Sequence, residues 1–213
     1  MTATASKNRQ RPNFLEDPIP TLLSRLTGPM IFGLIAIILF NVVDAYYIAM
    51  LGTEELAALT YTFPATFSFM SVNLGLGTAT AALVANALGR GDTESARQIA
   101  THSLMLAVLI VFCLSMLGKL SIKPLFSLIG ADTDSLVLIQ SYMQVWYSGI
   151  VFLTIPMVGN AAIRGAGNTK TPSIIMSVAA LINGVLDPFL IFGLGPFPEL
   201  GLQGAALSSV IAW

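Results

Sequence analysis

The sequence predicts an all-α membrane protein, a polytopic bundle of five complete transmembrane helices followed by a sixth that is cut short. Three observations carry that prediction. Of the 213 residues, 55% are apolar and only 10% are charged, with a mean hydropathy of +0.79, whereas soluble domains carry about 25% charged residues. The apolar residues gather in long runs, each reaching the roughly 20 residues needed to span a hydrocarbon layer about 30 Å thick. The charged residues fall almost wholly between those runs.

The same numbers exclude several function classes. A net charge of -1 with no basic run of five or more gives nucleic acid nothing to bind, and no Gly-rich phosphate loop follows a strand. The single cysteine, Cys113, lies in an apolar run, so it forms no internal disulfide and reads as a small buried hydrophobe. The single histidine, His102, stands beside Thr101 and Ser103 with no second histidine or nearby carboxylate, and reads as a polar helix-end residue. No nucleophile, base and orienting group occur together in a connection, so the chain is not expected to be an enzyme.

In chain order, residues 1–24 are mixed polar and lack a small-residue cleavage site, which predicts a cytoplasmic tail in place of a signal peptide. Within it, Phe14 to Leu23 is too short an apolar stretch to span and is expected to lie along the interface. Spanning helices are predicted over about 26–51, 61–88, 98–117, 135–163 and 172–194, making 25–213 one transmembrane lobe. A sixth run opens at Gly201 and reaches Trp213, covering about 20 Å of rise, so a helix cut mid-membrane and a truncated chain are expected. The connection from Lys119 to Asp134 contains an amphipathic stretch, Lys119 to Ile129, that is expected to lie flat on the outer interface.

Lysine and arginine set the orientation. Eight of them (Lys7, Arg9, Arg11, Arg25, Arg90, Arg97, Arg164, Lys170) fall on one side, against Lys119 and Lys123 on the other. This places the N-terminus in the cytoplasm of a multi-pass plasma-membrane protein. Pro29, Pro64, Pro156 and Pro188 punctuate the helices, each removing a backbone donor that a neighbour must compensate in lipid. Small residues between Gly75 and Ala85 point to close helix packing.

The chemistry concentrates in two acids. Of eleven Asp and Glu residues, nine fall in the tail or the connections, and only Asp44 and Asp187 interrupt apolar spans. An unpaired charge at the bilayer centre costs roughly 2.5–3.5 kcal/mol on insertion scales, so such a group is expected to take up a proton or a metal cation. Asp44 stands eight residues before Gly52 and Asp187 eight before Gly195, which predicts a shared level in the outer half of the membrane. Each has an amide on its own helical face, Asn41 and Asn183 respectively, so the four side chains are expected to converge on one chamber. The plainer reading of the two acids is a pair of interhelical hydrogen bonds, worth about 0.6 kcal/mol each. Leu51-Gly52 before Ala57-Ala58-Leu59-Thr60 also echoes Leu194-Gly195 before Ala205-Ala206-Leu207-Ser208, a short internal similarity.

Pro29 with Asp44, Leu51-Gly52, Leu56-Ala57-Ala58, the tract Pro156 to Pro172 and Asn183 with Leu186-Asp187-Pro188 together resemble the first half of a multidrug and toxic compound extrusion (MATE) transporter. The resemblance runs from about Arg25 to Trp213 and is closest to the branch with an aspartate in the first helix. It implies one six-helix lobe of a two-lobe transporter, with the second lobe absent from this chain. It also implies exchange of organic cations or other amphipathic compounds for protons or sodium, with no cofactor beyond that ion.

Carried onto this sequence, the resemblance makes Asp44 the proton-responsive acid and Asn183 and Asp187 its partners. Asn160, Tyr142, Asn41, Pro29 and Pro188 are then expected around the cavity. Where the family places a hydroxyl early in the sixth helix, this chain has Ala205 and Ala206, with Ser208 and Ser209 further on. A lipid-linked precursor flippase would need a basic cavity, and the spans are expected to be acidic only. A non-transporting fragment, or a half-transporter scaffold that pairs with a second lobe, stands as the alternative from another class.

Overall fold

The computed structural model describes residues 18–213. Six helices follow one another: α1 (Ile19–Leu51), α2 (Thr53–Gly89), α3 (Thr93–Leu128), α4 (Thr133–Gly165), α5 (Lys170–Ile191) and α6 (Leu202–Ala212). Five are long and apolar enough to cross a membrane. The connections carry local stop and start signals. Gly91, Gly130 and Gly167 take positive φ just past the ends of α2, α3 and α4, where a left-handed residue satisfies the last carbonyls and glycine has no Cβ to clash. Asp92 and Asp132 then cap the next helices, their carboxylates accepting from Ser95 N at 2.9 Å and Ser135 N at 3.0 Å.

Helix α4 is the hub. It packs most extensively against α2 and α3, then α6, and more lightly against α5. Its Met143, Trp146, Tyr147 and Ile150 are buried in one core with Phe69 of α2, Val111 and Phe126 of α3 and Ile191 of α5. Phe69 meets Trp146 edge-on at 5.5 Å and Tyr147 at 5.4 Å between ring centres, geometries that suit ring quadrupoles. The hydroxyl of Ser115 donates to the Tyr147 carbonyl and ties α3 to α4. Helix α1 instead packs chiefly on α5 and touches α2 lightly, with much of its apolar surface turned outward.

Small residues set the helix separations. A Cβ on Gly77 of α2 would come within 3.2 Å of the Ala161 methyl on α4, so the two backbones approach as the small residues between Gly75 and Ala85 predict. A Cβ on Gly204 would run into the Leu190 carbonyl and the Ile191 amide nitrogen of α5.

Several boundaries differ from the sequence expectation. Helix α1 begins at Ile19, so residues 19–24 are helical and not tail. The rest of the expected tail, and the first part of the interfacial stretch from Phe14, lie outside the described residues. Helix α2 opens directly after Gly52, because Glu54 and Glu55 sit in its first turn, where acidic side chains complement the exposed N–H groups. Helix α3 is corrected most: it runs through Lys119, Lys123 and Pro124 to Leu128. Ile122 and Phe126, one turn apart, are buried at 3% and 0% exposure and hold this end on the core, so the stretch is not a separate interfacial segment. Helix α5 ends at Ile191, three residues before the expected limit, with Pro188 inside its last turn. Pro29, Pro64 and Pro156 likewise lie within continuous helices.

Candidate functional site

The polar residues that interrupt the apolar spans meet where α5 faces α6. Asn183 and Asp187 are four apart, hence on one face of α5, and both are fully buried. Opposite them α6 presents Ser208 and Ser209. The Asn183 amide donates to the Ser208 hydroxyl at 3.2 Å and to the Ser209 hydroxyl at 3.3 Å. The Ser208 hydroxyl donates to Asp187 Oδ1 and also lies 2.9 Å from the Ala205 carbonyl. A hydroxyl has one hydrogen, so Ser208 serves one of these two acceptors at a time.

Asp44 of α1 is linked to this group through Ser209, which accepts from Asn183 and lines the cavity that Asp44 and Tyr142 also line. Asp44 Oδ1, Asn183 Oδ1 and Asp187 Oδ2 are buried with no hydrogen-bond partner among the described residues. All three are acceptors, and the cluster is short of donors. A proton or an alkali cation supplies what such oxygens lack.

Asp44 opens on a cavity of about 350 Å³ that it shares with Asn41, Tyr142, Trp146, Thr62 and Ser209. Ser209 therefore touches both the buried Asn183 and the cavity that holds Asp44. Asn41 is exposed and its amide donates to the Ile37 carbonyl of its own helix at 2.9 Å, so it lines the cavity without joining the buried cluster. A second cavity of about 310 Å³ lies toward the Pro29 end of α1 and is lined by Asn73, Asn160 and Arg164 among others. Asn160 thus stands on a different cavity from Tyr142, and neither Pro29 nor Pro188 lines either one.

Some of this geometry departs from the sequence reading. Asp187 lies four residues from the end of α5 and Asp44 seven from the end of α1, so the equal spacing to Gly52 and Gly195 is not an equal depth within the helices. The spans are also not acidic only, because Arg164 sits in the last turn of α4 and lines the second cavity. The place early in α6 where a hydroxyl was expected holds Ala205 and Ala206, and it is Ser208, further along, whose hydroxyl donates to Asp187. The buried Asn73 was not anticipated; a lone amide among small apolar residues of α2 is the signal that marks it.

The chain matches the MatE family over residues 29–189. It is 40% identical over 205 residues to the FAD transporter of Shewanella oneidensis, covering 96% of this chain and 45% of that protein. It is 32% identical to the probable multidrug resistance protein NorM of Deinococcus radiodurans, across 92% of this chain and 45% of the relative. Among solved structures, the Vibrio cholerae MATE transporter VcmN in its bent form superposes with a TM-score of 0.85 at 31% identity, over 90% of this chain and 43% of that one. The chain therefore spans less than half the length of these relatives, of which the Shewanella and Vibrio proteins are named as transporters and the Deinococcus one as a probable multidrug resistance protein. With the helical lobe, the buried Asp187 and the sequence match in agreement, the chain belongs to the MatE family of membrane transporters.

Proposed function

We propose that this chain forms the N-terminal lobe of a cation-coupled antiporter that exports small amphipathic compounds, with Asp44, Asp187 and Asn183 as the coupling site. The observation that carries the reading is the donor deficit of the cluster: three buried acceptor oxygens on these residues have no partner among the described residues. Its neighbours' names support the transport class, and the length of the solved relatives supports a second lobe.

Ser208 gives the cluster a way to respond to a proton. With Asp187 ionised, the Ser208 hydrogen points at its carboxylate. With Asp187 protonated, the new O–H donates and the Ser208 hydrogen turns to the Ala205 carbonyl, 2.9 Å away. A proton on Asp44 similarly turns an orphaned acceptor into a donor at the wall of the larger cavity. Each change removes a charge from lipid-buried surroundings, and so favours a more closed packing of α1, α5 and α6. Release of the proton on the other side restores the acceptors and the open cavity. We place the lobe in a bacterial or archaeal inner membrane, with its N-terminus in the cytoplasm as the lysine and arginine count implies.

Proteoliposomes containing the two-lobed transporter discriminate the coupling ion. A pH gradient alone is expected to drive efflux of a cationic dye, and a sodium gradient at uniform pH is expected to leave it near the passive rate. Efflux under neither gradient overturns the antiport reading.

A further inference from the structure

The polar residues around Asp44 and Asp187 are backed at one end by aliphatic side chains. Helices α1 and α5 run toward the end that carries the α1–α2, α3–α4 and α5–α6 connections, and α4 and α6 start from it. On each of these four helices a buried aliphatic residue stands between that end and a polar one. Ile48 lies four residues beyond Asp44 on α1 and Ile191 four beyond Asp187 on α5, so each shares a helical face with its acid. Ile139 lies three residues before Tyr142 on α4, and Leu202 six before Ser208 on α6.

These four belong to one core, Ile48, Ile139 and Ile191 at 0% exposure and Leu202 at 3%. None of them lines the cavity that Asp44 and Tyr142 line. The α5–α6 connection fixes two of them, because Leu200 N donates to the Leu190 carbonyl and Gly201 N to the Ile191 carbonyl, both at 3.1 Å. The connection thus folds back on the last turn of α5, and Leu202 opens α6 beside it. On its other side the cluster is polar, since Ser209 accepts from Asn183 and lines the cavity.

We propose that Ile48, Ile139, Ile191 and Leu202 form a proton barrier, which leaves the cavity as the one route by which Asp44 and Asp187 exchange a proton. A proton crosses an apolar layer on a file of water or on a titratable group, and four packed aliphatic side chains supply neither. The consequence is tight coupling. An acid that met water through this end while the cavity faced the other side of the membrane would pass protons with no movement of substrate. The inference rests on the exporter reading, but its readout is a leak measured without substrate.

The test is substrate-free proton entry into proteoliposomes holding the two-lobed transporter, read by a trapped pH-sensitive dye with the membrane potential clamped. The unaltered protein is expected to leak no faster than protein-free vesicles. Ile48→Asn and Ile191→Asn each hydrate the layer and speed proton entry at least about tenfold, whereas Ile191→Val keeps it apolar and does not. Val111→Asn puts the same amide into the core from α3, which lines neither cavity, and is expected to cause no leak. Asp187→Asn combined with Ile191→Asn returns the leak to the unaltered level, because the opened route ends on that carboxylate. Ile48 and Ile191 lie on different helices, so either variant tests the barrier if the other fails to fold. No leak from a folded Asn variant of either residue, an equal leak from Val111→Asn, or a leak that survives Asp187→Asn overturns the proposal. Gradient-driven dye efflux with no leak in the variants refutes the barrier alone; an Asp187-dependent leak with no efflux by the unaltered protein refutes the exporter reading alone.

Discussion

Ser208 of α6 joins Asp187 and Asn183 of α5 through one hydroxyl, donating to the carboxylate and accepting from the amide. Ser208→Ala orphans one oxygen of Asp187 and leaves Asn183 with Ser209 as its remaining acceptor. Removing one partner of a buried polar pair costs about 1–3 kcal/mol. Thermal unfolding in detergent should show that loss for Ser208→Ala, and Ser208→Thr, which keeps the hydroxyl, should recover most of it.

Gly204 controls the distance between those two helices. An alanine there meets the backbone of Leu190 and Ile191, so α6 must move away from α5 and carry Ser208 with it. Overpacking of this kind costs about 1–3 kcal/mol. Gly204→Ala is expected to lower both thermal stability and transport, although residue 204 lines neither cavity.

Phe69 holds α2 on the hub helix through Trp146 and Tyr147. Its loss opens a cavity between helices that no other side chain fills. Phe69→Ala should lower unfolding stability by about 3–5 kcal/mol, measured by the same unfolding assay, whereas Phe63→Ala, at a position 66% exposed on the same helix, should change it far less.

The cap of α3 gives a pH dependence outside the membrane. The hydrogen bonds from Ser95 hold the Asp92 carboxyl below the usual carboxylate range. A carboxyl depressed on folding contributes stability that is present above its ordinary range and is lost as pH falls through the lowered value. Amide exchange at Ser95, corrected for its intrinsic pH dependence, should therefore speed up as the medium is acidified below that point. Asp92→Ala should abolish the effect, with the larger part of α3 unchanged.

Much of the lobe was readable from residue chemistry because lipid is an unforgiving solvent. Long apolar runs mark the spans, and isolated Asp44, Asn183 and Asp187 announce themselves where every polar group needs a reason. Helix ends were harder. Lys119, Lys123 and Pro124 look like an interfacial break, yet Ile122 and Phe126 bury against the core and carry α3 through to Leu128. That contact is tertiary and leaves little periodic trace. Arg164 was hidden for a related reason: it reads as part of a basic connection until α4 is seen to extend to Gly165. The division of the polar residues between two cavities depends on how α1, α2, α4 and α5 cross, which spacing along any one helix does not encode.

The proposed coupling acid is Asp44, at the wall of the larger cavity. In proteoliposomes under an imposed pH gradient, the transporter with Asp44→Asn should bind a cationic dye yet lose proton-driven efflux and the accompanying proton movement. Efflux and proton flux equal to those of the unaltered protein would contradict the account.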